Sequence, residues 1–183
     1  MRVRYIALVA AIASSFWISA LSPAELTAVG LWQQYDDASG KSQGWFLISE
    51  RDGLYEGAIA KMFMEPGENS NPICTGCEGA QKNEPWLGLM IIKGMKRNGT
   101  KYEDGTILDP RNGTVYKAIM ELSPDGQILT VRGYLGIPLL GRNQVWKRLS
   151  DSAQAELDPA LRLKYEMSKP TSARKPTTHS VNH

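Results

Sequence analysis

Histidine is nearly absent from this chain: His179 and His183, both within the last five residues, are the only two. Everything before them lacks an imidazole. That excludes Ser-His-Asp and Cys-His nucleophilic catalysis, and the usual His-containing zinc sites. An enzyme built here would depend on carboxylates, Lys or Tyr, and no pair of these stands out. The sequence therefore reads as a non-enzyme with no cofactor and no metal. Cysteine is almost as scarce, with Cys74 and Cys77 alone. None precedes Cys74, so there is no cysteine for a lipid anchor at an export cleavage site. Beyond the first residues the longest apolar run is Leu87 to Ile92, which suits a buried strand and not a membrane span. Charge of one sign is lacking too. The net charge is +2, and Arg2 and Arg4 are the only charges before Glu25. With those removed, and with Lys169, Arg174 and Lys175 assigned to a tail, the folded part is slightly acidic. Nucleic-acid binding calls for a basic patch or stripe, so no nucleic-acid partner is expected. No internal repeat is visible.

What is present begins with a leader. Arg2 and Arg4 are followed by an uncharged, mostly apolar stretch from Tyr5 to Trp17, then by Ser19, Ala20, Ser22 and Ala24. A positive start, a short apolar run and small closing residues are the grammar of a secretory signal peptide. Residues 1–24 are expected to be removed, with a cut after Ala20 as the alternative. An uncleaved anchor is the competing reading, but the run falls short of the ~20 residues a bilayer needs. The mature chain is expected to be exported to the periplasm or outside the cell, soluble, with no transmembrane segment.

From residue 29 to 149 the punctuation is that of an all-β domain. Turn signals recur at Asp37-Ala38-Ser39-Gly40, Arg51-Asp52-Gly53, Asn98-Gly99, Asp104-Gly105, Asn112-Gly113 and Ser123-Pro124-Asp125-Gly126. Asn-Gly and Asp-Gly favour tight hairpins because both central residues must accept positive φ. Eight strands are expected between them, near 30–36, 44–51, 54–63, 87–95, 101–108, 114–122, 127–134 and 142–148. In the sixth, Tyr116, Ala118, Met120 and Leu122 alternate with Lys117 and Glu121. In the seventh, Leu129, Val131 and Gly133 alternate with Thr130, Arg132 and Tyr134. Such alternation marks strands with one buried and one solvated face. The predicted architecture is a single eight-stranded up-and-down antiparallel barrel, closed so that no edge is left exposed. Eight strands leave an interior that side chains fill or that holds one small ligand. A short helix is expected in the extension 150–167, started by Asp158-Pro159. Residues 168–183 read as a disordered polar tail.

The segment Glu65 to Pro85 breaks this rhythm and holds both cysteines. Cys74-Thr75-Gly76-Cys77 is an isolated CxxC. A zinc knuckle needs more ligands, and haem attachment needs His where Glu78 stands. A redox pair needs a strand-to-helix setting, which Pro72 and Gly79 do not suggest. The plain reading is a structural disulfide pinning a long loop in an oxidising compartment.

Gly30-Leu31-Trp32 opens the first strand, and Gly141-Arg142 precedes a last strand carrying Trp146, Lys147 and Arg148. A Gly-x-Trp on strand one with a basic residue near the last strand resembles the corner signature of lipocalin-like (calycin) barrels. The resemblance implies that Trp32 closes the barrel floor with a cation stacked on it. Arg142 is the first choice for that cation and Arg148 the second. Tyr116, Met120 and Tyr134 are candidate ligand-lining residues. Arg132 reads as part of the solvated face. Asp109 reads as a side-chain cap of the Pro110-Arg111-Asn112-Gly113 turn.

Taken in order, Gly30-x-Trp32, Asp52-Gly53-Leu54-Tyr55-Glu56-Gly57, Cys74-x-x-Cys77, Gly105-x-Ile107-Leu108-Asp109-Pro110, Arg132-Gly133-Tyr134-x-Gly136 and Leu139-Leu140-Gly141-Arg142-x-Gln144-x-Trp146 resemble the exported bacterial domain-of-unknown-function family number 2147. The resemblance covers about residues 29–149. It implies a calycin-like barrel outside the cytoplasm and transfers no activity. Two functions stay open: a binder of a small apolar or amphipathic ligand, or a filled barrel acting through its surface. A CxxC redox protein ranks below both.

Overall fold

The computed structural model describes residues 26–36 and 38–168. The expected signal peptide and the tail beyond Ser168 lie outside the described residues. Eight strands follow in chain order: β1 Gly30–Tyr35, β2 Ser42–Arg51, β3 Leu54–Met62, β4 Met90–Asn98, β5 Lys101–Asp109, β6 Thr114–Leu122, β7 Ile128–Tyr134 and β8 Arg142–Arg148. Each strand pairs antiparallel with its chain neighbour, and β8 returns to β1 to close the barrel. A 3-10 turn over Asp151–Glu156 and one helix, α1 (Pro159–Ser168), follow.

Side-chain alternation places the core inside. On β7, Leu129 and Val131 are buried, whereas Ile128, Thr130 and Arg132 between and beside them are partly exposed. Two-residue turns join β2 to β3 through Asp52-Gly53 and β4 to β5 through Gly99-Thr100. Asp52, Gly53 and Gly99 all have positive φ, as tight hairpins require. These turns, with the 123–127 turn, gather at one end of the barrel. The longer connections, 36–41, 63–89, 110–113 and 135–141, gather at the other.

Two local expectations differ from the structure. Asp104-Gly105, read as a turn, lies inside β5 and makes a β-bulge: the pairing with β6 shifts between Tyr102 and Gly105. Asp104 has φ 62, so the same tolerance of positive φ that makes Asp-Gly a turn signal here bends a strand. The fourth strand starts at Met90, not at residue 87. Gly88 has positive φ, and its N–H donates to the Ile59 carbonyl from a loop conformation.

The tight end is sealed by one cation. Arg148 pairs with Trp32 in the β1–β8 register, and its guanidinium carbon lies 4.2 Å from the centre of the Trp32 ring. Arg148 Nε donates to the Gly126 carbonyl at 2.5 Å, Nη1 to Val29 at 2.8 Å and Nη2 to Thr27 at 2.6 Å. Trp32 Nε1 donates to the Ala28 carbonyl at 2.8 Å, and the Ala28 N–H donates to the Tyr102 hydroxyl at 2.7 Å. Tyr102 meets Tyr55 edge to face, with centroids 4.7 Å apart. Gly30 must be glycine for this packing, because a Cβ there would lie 2.6 Å from Arg148 Nη1. That close approach explains the Gly of Gly30-x-Trp32. The first choice of cation is corrected. Arg142 begins β8 at the opposite end, six residues from the position that faces Trp32. Six residues of strand span roughly 20 Å, so Arg142 is out of reach.

Partial burial of a guanidinium costs free energy unless its donors are used. Here the fork finds three carbonyls and an aromatic face, so removing it strands those acceptors. Arg148→Ala is expected to lower the unfolding free energy by about 2–4 kcal/mol, and Arg142→Ala to change it by less than about 0.5 kcal/mol. Urea titration followed by tryptophan fluorescence measures both, and equal effects would rule out the special place given to Arg148.

Tyr55 adds a pH dependence. Burial pushes its phenol up to about 12 from 10.0, and the Glu50 carboxylate adds to the shift. Below pH 10 the phenol is protonated in both folded and unfolded chains. Above it the unfolded chain releases the proton first, so stability falls between pH 10 and about 12. Tyr55→Phe is expected to flatten that fall in thermal melts taken across the same window.

Candidate functional site

The barrel interior has two halves. Toward the tight end it is filled. Trp32, Trp146, Tyr102, Met95, Met120 and Leu129 are each 0 % exposed. Phe46 stacks on Trp146 with centroids 4.3 Å apart. Toward the open end the inward positions are only partly covered: Gln34, Met62, Ile107, Tyr116 and Gln144 are half-buried. Trp86, from the β3–β4 connection, is half-buried and packs against the same core.

The register explains who lines this upper half. Ile107 pairs with Tyr116, and Gln34 pairs with Trp146. Gly133 lies under Ile107 and Tyr116, and a Cβ there would sit 3.2 Å from Ile107 Cγ2. The lack of a side chain at Gly133 lets Ile107 and Tyr116 pack closely over the β7 backbone. The rim is apolar with a few amides and one cation, Arg142, which shares the inward parity of Gln144 and Trp146. Gln144 Oε1 accepts a 3.3 Å hydrogen bond from Trp146 Nε1. Among the described residues the Trp86 and Trp45 indole N–H groups are both buried without a hydrogen-bond partner.

The three candidate lining residues separate. Tyr116 faces inward in the open half. Met120 faces inward too, but it is fully buried in the filled half and is not open to a ligand. Tyr134 faces outward: it pairs with Lys117 while its neighbour Gly133 takes the inward position. The parity of β7 puts Tyr134 with Thr130 and Arg132, so it is corrected from a lining to an outer residue. Sequence reading missed Ile107, Gln34, Gln144 and Trp86. The inward parity of the strands was available for the first three; Trp86 sits in an irregular loop where no periodicity exists.

The cysteine loop proves to be a wall cover. Cys74 and Cys77 sulfurs are at bonding distance, 1.92 Å. Both residues are buried, and they join a cluster that includes Ile91 and Leu108. Those two alternate with the inward Ile92 and Ile107, so they point outward. The loop therefore packs on the outer wall of β4 and β5. Within the loop the Cys74 N–H donates to the Glu84 carbonyl (2.9 Å), and the loop is anchored to the barrel by Gln81 Nε2 to the Met90 carbonyl (2.7 Å) and by the contact of Gly76 with Gly113. A Cβ at Gly113 would lie 1.8 Å from the Gly76 carbonyl oxygen, so both backbones depend on the missing side chains. Asp109 fixes the opposing turn. Its carboxylate accepts from the Arg111 N–H and guanidinium at 2.8–3.1 Å, and these hydrogen bonds hold its pKa below the usual carboxylate value.

The outer wall of β1–β3 is covered as well. Leu31, Trp45, Leu47 and Ala60 form a second cluster with Leu157, which follows the 3-10 turn. Lys61 Nζ sits 4.3 Å from the Trp45 ring centre and pairs with Glu156 at 2.7 Å. Among the described residues no three or more His, Cys, Asp or Glu are grouped to hold a metal. No described helix is long and apolar enough to cross a membrane.

A closed eight-stranded meander with Gly-x-Trp on β1 and an arginine stacked on that Trp from β8 is the arrangement of a lipocalin-like barrel. Protein HP1028 from Helicobacter pylori, described as belonging to the lipocalin family, has the same fold: the TM-score is 0.61 at 18% identity, over 76% of this chain and 98% of that one. Residues 30–148 match the bacterial family DUF2147, described as an uncharacterized protein conserved in bacteria, and the chain belongs to that family. No curated protein matches the chain.

A bond between residues three apart closes a very short loop and removes little chain entropy. Reduction of Cys74–Cys77 is therefore expected to raise hydrogen exchange in 73–85 and in the outward residues of β4 and β5. Far-ultraviolet circular dichroism should stay within a few per cent of the oxidised protein. A collapse of the β signal on reduction would show that the barrel itself depends on the bond.

Proposed function

We propose that this chain is an exported carrier or sensor of one small amphipathic molecule, held in the open half of the barrel. The observation that carries this reading is the contrast within one interior. Inward residues near the tight end are sealed, whereas Gln34, Met62, Ile107, Tyr116 and Gln144 point inward and are still partly exposed. Such a site is shallow, mostly apolar and supplied with a few directional groups, the usual makeup of a small-molecule pocket. Ile107, Met62 and the Tyr116 ring suit an apolar body. The amides of Gln34 and Gln144 suit a polar end carrying an acceptor. The leader grammar of residues 1–24 and the paired cysteines support an oxidising compartment.

The filled lower half favours a second reading, in which the barrel is only a scaffold and function lies on its surface. The two readings part on one measurement. An apolar fluorescent naphthylamine probe, titrated into the chain starting at Glu25, is expected to bind one per barrel and to quench tryptophan fluorescence. Ile107→Trp is expected to keep the melting temperature within a few degrees and to weaken the probe about tenfold or more by occupying the space. Absence of saturable binding, together with a bare mass by native mass spectrometry of protein taken from its own compartment, would favour the scaffold.

A further inference from the structure

Of the outer walls, those of β1–β3 and β4–β5 are covered by parts of the same chain. Among the described residues nothing covers the wall of β6–β8. Val115 is 54% exposed and Val145 46%, and Tyr134 lies partly exposed between their strands. The connection between β7 and β8, at the open end, adds Leu135, Ile137, Leu139 and Leu140. These are 59%, 56%, 81% and 76% exposed. Four aliphatic side chains in six residues, turned to solvent, are not explained by the core. Nor is the loop loose. Arg132 Nε donates to the Pro138 carbonyl at 2.7 Å, Nη2 to Leu139 at 3.1 Å, and Nη1 to Asn143 Oδ1 at 2.6 Å. A 3-10 turn over Pro138–Leu140 completes it. The guanidinium uses backbone carbonyls to fix a loop whose apolar side chains face away from the protein.

Charge shows what this surface suits. From Gly126 to Ser150 the chain has no Asp or Glu, but it has Arg132, Arg142, Lys147 and Arg148. Arg148 belongs to the tight end. Arg142 pairs with the inward Gly133 and is exposed at the barrel mouth beside the loop, Lys117 is exposed where β6 pairs with Tyr134, and Lys147 reaches over the Tyr35 ring at 5.1 Å. Of the acids at the open end, Glu65, Glu68, Glu78 and Glu84 lie in the 63–89 connection, Asp36 in the 36–41 connection and Asp109 at the end of β5. The β7–β8 connection is thus the aliphatic part of the open end and carries no acid, while Glu121, the acid of the adjoining wall, lies near the tight end.

We propose that the β7–β8 loop and the adjoining wall of β6–β8 dock the barrel onto an anionic lipid surface, with Leu139 and Leu140 entering the headgroup region and Lys117 and Arg142 facing lipid phosphates. Aliphatic burial together with cation attraction is how proteins lie on a bilayer without crossing it. A second copy is a poorer occupant. A two-fold contact is self-complementary, so it would set the cations of one face against the cations of the same face, and like-charge juxtaposition opposes association. The reading stands apart from ligand binding: it holds for a filled barrel as well as for an open one.

The experiment is sedimentation of the chain from Glu25 to His183 with vesicles of phosphatidylcholine alone and of an equimolar phosphatidylcholine–phosphatidylglycerol mixture, at low and high salt. Binding is expected to the mixed vesicles, weakened by salt, and little to the neutral ones. The double variant Leu139→Asp/Leu140→Asp, at highly exposed positions that the core does not use, is expected to lose about tenfold or more. Lys117→Ala/Arg142→Ala is expected to weaken binding several-fold and to flatten its salt dependence. Ile73→Asp, on the cysteine loop, should bind as the parent does. The proposal is overturned if the parent fails to sediment with mixed vesicles at low salt, or if Ile73→Asp loses as much as the leucine pair. It is also overturned if analytical ultracentrifugation shows a dimer that the leucine variant dissociates, since the loop would then be an interface between copies.

Discussion

Arg148 stacked on Trp32 is the contact on which this barrel depends. It joins the last strand to the first, where the ladder is thinnest: β1 and β8 share three paired positions, whereas β2 and β3 share eight. The guanidinium adds three hydrogen bonds to the segment before β1 and to the β6–β7 turn, so one side chain ties together three stretches that the ladder alone holds weakly. Tyr102, from the far side of the interior, extends the same network to the Ala28 N–H. The tight end is consequently fixed by directional contacts. The open end is free to vary in its loops, and that is where partly exposed inward residues occur.

A barrel of eight short strands has an outside as well as an inside, and much of its apolar surface points outward. The chain deals with this wall by wall. The segment after β8 lays Leu157 against Leu31, Trp45 and Leu47, while the cysteine loop lies over Ile91 and Leu108. Both covers are therefore part of the folded core, although neither is part of the sheet. Among the described residues the third wall is bare, and the β7–β8 loop that borders it lies at the same end as the candidate ligand site. Its isolation makes sense only in the context of the two that are covered.

The strand pattern was legible because period-two alternation and Gly-containing turns are local signals. Seven of the eight strands start within two residues of the expected positions, and the eighth, β4, differs because the apolar run Trp86–Leu89 is a packed loop. Asp104-Gly105 was misread because positive φ serves turns and bulges alike. The choice between Arg142 and Arg148 was not legible, since it depends on the β1–β8 register, which joins residues more than a hundred positions apart. Parity on β7 was enough to place Tyr134 with Arg132 on the outside, and the aromatic side chain obscured it. Met120 lay on the correct face, but depth within the barrel depends on where the neighbouring strands begin. The bare wall was invisible in sequence, because Val115 and Val145 look like any outward strand residues until the covers of the other walls are known.

The meander has a consequence for how the molecule assembles. Seven of its eight strand pairings join chain neighbours through short connections, with the β3–β4 link as the one long exception. Their closure entropy is small and each hairpin can form on its own. The eighth pairing must bring together positions 119 apart, as between Arg148 and Val29. Until it forms, the sheet is an open ribbon with two raw edges, able to pair with another ribbon. The last stroke of folding therefore decides between a closed monomer and edge-to-edge association, and Arg148 sits at the seam where that decision is made.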